Sequence, residues 1–183
     1  MRRRSARLLW LVYGMLVALM ARAHADPMPA RVLTQMQLSK PEIVSAWLRQ
    51  HPAGVEEREA ALSYQAGLEQ KGRKDWSGAA KSFGESAIRH PSPQVLAEYV
   101  TANLHMLGEI RTRNGATSLG LDGDMDFALR HYLSVMAADE VLGTLSEREK
   151  GQVKANIACL ADYLKSRQAP GVCLPFEYYG IRP

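Results

Sequence analysis

The sequence predicts an all-α protein, and three observations carry that expectation. Apolar residues recur at helical spacing in six segments, Pro- and Gly-containing breaks separate those segments, and no stretch sustains the period-two alternation that a strand requires.

The chain opens with Met1, Arg2, Arg3, Arg4 and Arg7, runs through apolar residues from Leu8 to Ala21, and reaches Ala23-His24-Ala25 before Asp26 and Pro27. A basic start, a short apolar run and a small-x-small site together predict a secretory signal peptide over residues 1–25, cleaved after Ala25 and directing the protein to the periplasm. An uncleaved anchor is the competing reading, but a membrane-spanning helix needs about 20 apolar residues and this run is shorter. No cysteine adjoins the site to take a lipid, and no stable membrane insertion is expected after cleavage.

Cleavage would also change the electrostatics. Residues 1–25 contain Arg2, Arg3, Arg4, Arg7 and Arg22 and no acid, so 23 basic and 19 acidic residues become 18 and 19, and a formal charge of +4 becomes −1. The basic balance belongs to the targeting segment, which removes the main argument for a nucleic-acid partner. The remaining 158 residues suit one domain with its own core.

Along that domain the helices are expected as follows. After a Pro-containing lead, Ser39-Lys40-Pro41-Glu42 has the spacing of a capping box, and Ile43, Val44, Trp47 and Leu48 follow on one helical face until His51-Pro52-Ala53-Gly54. A second helix spans about Val55 to Gln70 and a third about Ser77 to Arg89, with Ala79, Ala80, Phe83, Ala87 and Ile88 on one face. A fourth runs from Gln94 to about Ile110, ahead of a Gly-containing loop from Arg111 to Gly123. A fifth covers about Asp124 to Leu142, and a sixth, from about Ser146 to Arg167, opens with a second capping box, Ser146-Glu147-Arg148-Glu149. An irregular tail, residues 169–183, completes the chain.

The only cysteines are Cys159 and Cys173, fourteen positions apart. In an oxidising compartment such a pair predicts one structural disulfide, whereas a redox pair is more often spaced C-x-x-C. That bond would pin the tail, with Phe176, Tyr178 and Tyr179, back onto the last helix. Covering an open apolar end and binding a partner are both open to the tail.

Between Gly67 and Pro91 the spacing is specific: Ala79 twelve residues after Gly67, then Phe83, Ala87 and the closing Pro91. This pattern resembles a tetratricopeptide repeat, in which small residues let two helices of a hairpin touch and proline ends the second. Ser63, Ala66 and Gln70 depart from the family's usual Trp, Leu and Tyr, with Tyr64 one position away. Ala128-x-x-x-Tyr132 repeats Ala79-x-x-x-Phe83 at a distance of 49 residues, the family's repeat of about 34 enlarged by a loop, with Leu104 in its first helix. The helix from Ser146 is then half of a third unit or a cap, and the resemblance covers about residues 60 to 165.

What the resemblance implies is a short right-handed superhelix of antiparallel hairpins, residues 26–168, whose first helices line a concave face that receives a peptide or partner helix. Carried over by position, that face contains Tyr64, Leu68, Lys71, Glu98, Ala102 and His105. Tyr64 and Leu68 read equally well as core. These residues are not the Lys and Asn set of the carboxylate-clamp subtype, so recognition of a chain-terminal carboxylate is not implied.

Other chemistry is poorly represented. Asp122, Asp124 and Asp126 alternate like a calcium loop, but Phe127 and Leu133 stand where such a loop needs Gly and Glu, and acids at a helix start explain the cluster. His51, His90, His105 and His131 form no short metal-ligand pair, and no nucleophile elbow or phosphate-binding glycine loop occurs. No metal, no cofactor and no catalytic residues are expected. On the loop, Arg111 and Arg113 are candidate contacts to an acidic partner, and a solvated connector is the alternative reading of that segment. The expected function is a periplasmic, non-catalytic protein that binds a protein or peptide of the cell envelope. An immunity or inhibitor protein acting on a secreted toxin or envelope enzyme, and an envelope hydrolase without a familiar motif, are the alternatives. The oligomeric state is left open.

Overall fold

A computed structural model describes residues 31–115, 120–168 and 171–181. The expected signal peptide lies outside the described residues. Seven α-helices pack together, and among the described residues there is no strand. A 3-10 helix, Gln35–Ser39, leads into α1 (Pro41–Gln50), α2 (Glu57–Gly72), α3 (Trp76–Ala87), α4 (Pro93–Arg113), α5 (Leu121–Leu142), α6 (Glu147–Ser166) and α7 (Leu174–Tyr178). No described helix is long and apolar enough to cross a membrane.

The helix starts follow local chemistry. Asp75 accepts the Gly78 N–H ahead of α3, Ser92 accepts the Val95 N–H ahead of α4, and Ser146 and Glu149 cap one another at α6 as the sequence predicts. The capping box expected at Ser39 and Glu42 does not form. Lys40 is the N-cap of α1 and Pro41 its first residue, while the Ser39 hydroxyl donates to the Met36 carbonyl at 2.9 Å. The capping box of this region lies one element earlier, between Thr34 and Gln37.

Each helix from α2 to α6 packs on the next, as short connections dictate. Gly67 of α2 is the point where the first hairpin closes: a Cβ there would lie 2.6 Å from the Phe83 ring of α3. Phe83, Ala79 and Ala87 on α3, and Ala128, Tyr132 and Val135 on α5, are buried in one continuous core. Helix α1 packs on α5 rather than on its neighbour in sequence, putting Val44, Trp47 and Leu48 into that core. A moment of hydrophobicity along one helix tells which face is buried and says nothing of which distant helix covers it.

Two sequence expectations are corrected beyond α3. Arg111 and Arg113 are not on a loop: α4 continues through both, and its end is set by Asn114 and by Gly115, at φ 70°. The connection shrinks correspondingly, since α5 begins at Leu121 after Gly120 at φ 91°. The tail is not wholly irregular, because Pro175 in the first turn nucleates α7. Cys159 of α6 and Cys173 ahead of α7 are bonded, with Cα atoms 6.0 Å apart. α7 thereby packs on α4 and α6.

Candidate binding face

The residues expected on one face are carried by α2 and α4. Lys71, in the last turn of α2, donates through Nζ to both Glu98 oxygens of α4, at 2.7 and 2.6 Å, so the sequence-derived face contains its own ion pair. Tyr64, one helical stretch earlier, is half-buried with its ring 5.7 Å from that of Phe83. Burial, and after it the charge of Glu98, raises the pKa of the Tyr64 hydroxyl. Leu68 is half-buried and packed against the core, and Ala102 is 1% exposed, so Ala102 has no surface to offer.

His105 is the centre of the face. Its ring stacks on Trp76 of α3, with centroids 3.9 Å apart and planes 13° from parallel, and lies 5.2 Å from the ring of Tyr178 in α7. Burial lowers the His105 pKa; Glu109 opposes that shift and Lys71 adds to it. The imidazole is therefore neutral at neutral pH. Burial likewise raises the Tyr178 hydroxyl, followed by the charges of Glu177 and Glu98. The charge of Glu98 thus acts on Tyr64 of α2 and Tyr178 of α7, and also on the buried Tyr132 of α5.

These rings wall a cleft of about 490 Å³, open to solvent, between the start of α3, the second half of α4 and α7. Its α4 side is lined by Gly108, Glu109, Thr112 and Arg113, and its α7 side by Glu177, Tyr178 and Tyr179. Gly108 is the reason α7 can lie so close: a Cβ there would fall on the main-chain carbonyl of Tyr179. The Tyr179 hydroxyl donates to Asp124 Oδ2, and the Arg111 guanidinium sits 5.5 Å above the Tyr179 ring. Arg111 is therefore a half-buried anchor of α7 rather than a free surface cation, whereas Arg113 is exposed at the cleft.

The three aspartates at the start of α5 also have structural work. Asp122 accepts the Tyr163 hydroxyl at 2.9 Å and pairs with Arg167 at 2.8 Å, Asp124 holds Tyr179, and Asp126 pairs with Arg130 at 2.7 Å. Among the described residues no three His, Cys, Asp or Glu side chains converge as metal ligands would.

A second, smaller hollow of about 370 Å³ lies beside Met36, Tyr99, Phe127 and His131. His131 is 2% exposed. Its Nδ1 donates to the Phe127 carbonyl at 2.8 Å, and Nε2 has no hydrogen-bond partner among the described residues.

Of the residues that sequence spacing placed together, Lys71 and Glu98 meet as an ion pair and His105 lies at the cleft beside Trp76. Sequence spacing missed Trp76, Glu109, Glu177 and the placement of Tyr178 there. Trp76 is the first residue of α3, ahead of the periodic apolar stretch, and the one signal for it was the Asp75 N-cap that precedes it. No protein-family model, curated protein or solved structure matches the chain.

Proposed function

We propose that this is an exported, non-catalytic helical-hairpin protein of the tetratricopeptide kind, which binds a peptide or protein segment in the periplasm. The observation that carries the reading is the cleft beside the stacked Trp76–His105 pair. Its aromatic walls and charged rim have the composition that protein interfaces use for anchoring: flat rings that bury apolar area with little entropy cost, surrounded by charges that fix orientation. Tyr64, Lys71, Glu98 and His105 extend the same face, with Leu68 beneath it. The superhelical reading is supported by the Gly67–Phe83 closure and by the buried Ala128 and Tyr132, which occupy the second repeat's small and aromatic positions. Export rests on residues 1–25 and agrees with the Cys159–Cys173 bond.

Affinity capture from an envelope extract of the host tests this. The wild-type protein is expected to retain a stoichiometric protein partner, and a Trp76→Ala/His105→Ala variant is expected to lose it. A toxin or envelope enzyme as that partner would make the protein an immunity or inhibitor protein. Retention of no partner, together with turnover of cell-wall fragments by the purified chain, would sink the reading.

A further inference from the structure

We infer, resting on the peptide-binding reading above, that the cleft between α3, α4 and α7 receives a lysine or arginine side chain of an extended partner segment. Two features of the cleft agree on a cation. Its walls are aromatic: Trp76 and His105, stacked on one another at 3.9 Å, and Tyr178, 5.2 Å from His105, all line it, and aromatic side chains are partners of ammonium and guanidinium groups. Its rim carries the Glu109 and Glu177 carboxylates, both exposed, and neither is ion-paired among the described residues.

The cations nearby do not cancel this. Lys71 is engaged by Glu98 through both carboxylate oxygens, and Arg111 is turned onto the Tyr179 ring. Arg113 is the one guanidinium among the described residues that line the cleft, and its Nε donates to the main-chain carbonyl of Glu109 at 3.4 Å. His105 contributes no charge while it stays neutral. Among the described residues that line the cleft, two exposed carboxylates stand against one arginine, beside aromatic walls. An anionic side chain placed there would meet like charge, whereas a cation gains from the rings and the rim together.

The test uses the purified, disulfide-bonded protein and acetylated, amidated Gly-Ser peptides carrying two arginines, two lysines, two leucines or two glutamates. Tryptophan fluorescence reads binding, because Trp76 forms the wall. The arginine and lysine peptides are expected to bind at least about tenfold more tightly than the leucine and glutamate peptides, a preference that weakens with added salt. A Glu109→Gln/Glu177→Gln variant, altered only at exposed positions, is expected to lose most of that preference without changing its unfolding midpoint. Leucine or glutamate peptides binding as well as arginine peptides would overturn the inference and leave the peptide-binding reading standing. Arginine binding unaffected by Glu109→Gln/Glu177→Gln would place the cation elsewhere and overturn it too. Absence of binding by all four peptides, with an envelope partner still captured through Trp76 and His105, would likewise overturn the inference alone.

Discussion

Gly108 of α4 and Tyr179 beyond α7 touch main chain to main chain, so closely that a methyl group on Gly108 would occupy the space of the Tyr179 carbonyl. That contact, the Asp124–Tyr179 hydrogen bond and the Arg111 guanidinium over the Tyr179 ring together fix one wall of the cleft. A Gly108→Ala substitution must therefore move backbone, which costs about 1–3 kcal/mol in a packed site. The expected signs are a lowered unfolding midpoint and faster amide exchange at Ile181, whose N–H is bonded to the Phe176 carbonyl. Unchanged exchange there would contradict the close approach.

The disulfide closes a loop of about 15 residues, for which loop-closure entropy gives roughly 3 kcal/mol. A Cys159→Ser/Cys173→Ser variant is expected to unfold at lower urea, with its unfolding free energy reduced by about 3 kcal/mol. Intact mass of the protein recovered from the periplasm is expected to show a chain starting at Asp26 with both thiols oxidised. Retention of residues 1–25, or two free thiols, would contradict the export account.

Several of the helices were legible because their breaks are written in proline, which fixes φ, or in glycine, which tolerates the positive φ of a turn. Pro52 and Gly54 follow the end of α1, and Pro91 follows the end of α3, as the sequence predicts. Ser146 and Glu149 cap α6 as expected, while Ser39 and Glu42 have the same spacing and do not cap α1, because Pro41 takes the first helical position and Ser39 closes the preceding 3-10 turn. Helix α7 is five residues long, too short to show periodicity. The pairing of α1 with α5 is a long-range packing choice that no local spacing records. The same limit explains the site: Lys71, Glu98 and His105 follow from helical position, but Tyr178 reaches His105 only through the fold of the tail.

Stability is expected to fall in mild acid through buried histidine. Burial lowers the His131 pKa below its ordinary value of 6.5, against the smaller opposing effect of the Phe127 carbonyl, and burial lowers His90 and His105 as well. Below pH 6.5 the unfolded chain takes up protons that the folded chain refuses, so the contribution is complete above 6.5 and is lost as pH falls toward the folded-state values. While it stays neutral, the buried His131 contributes a slope of up to about 1.4 kcal/mol per pH unit. Urea unfolding between about pH 7 and pH 5 is expected to show that decline, reduced in a His131→Phe variant. An identical slope in the variant would remove His131 from the account.

The Lys71–Glu98 pair joins α2 to α4 across the face but is partly solvated, with side chains 36% and 24% exposed. Screening limits its value, and a double-mutant cycle with Lys71→Ala and Glu98→Ala is expected to give a coupling below about 1 kcal/mol. Lys71→Ala alone leaves Glu98 facing Tyr64 and Tyr178, so spectroscopic titration of the tyrosines is expected to shift further upward. No shift would separate Glu98 from those hydroxyls.

Site-directed photo-crosslinking in living cells tests the binding face most directly. Benzoylphenylalanine at Thr112, exposed at the cleft, and at Glu140, exposed on α5, offer the two comparisons within one protein. The account predicts a discrete crosslinked protein partner from Thr112 and none from Glu140. A partner captured from Glu140 alone would contradict it.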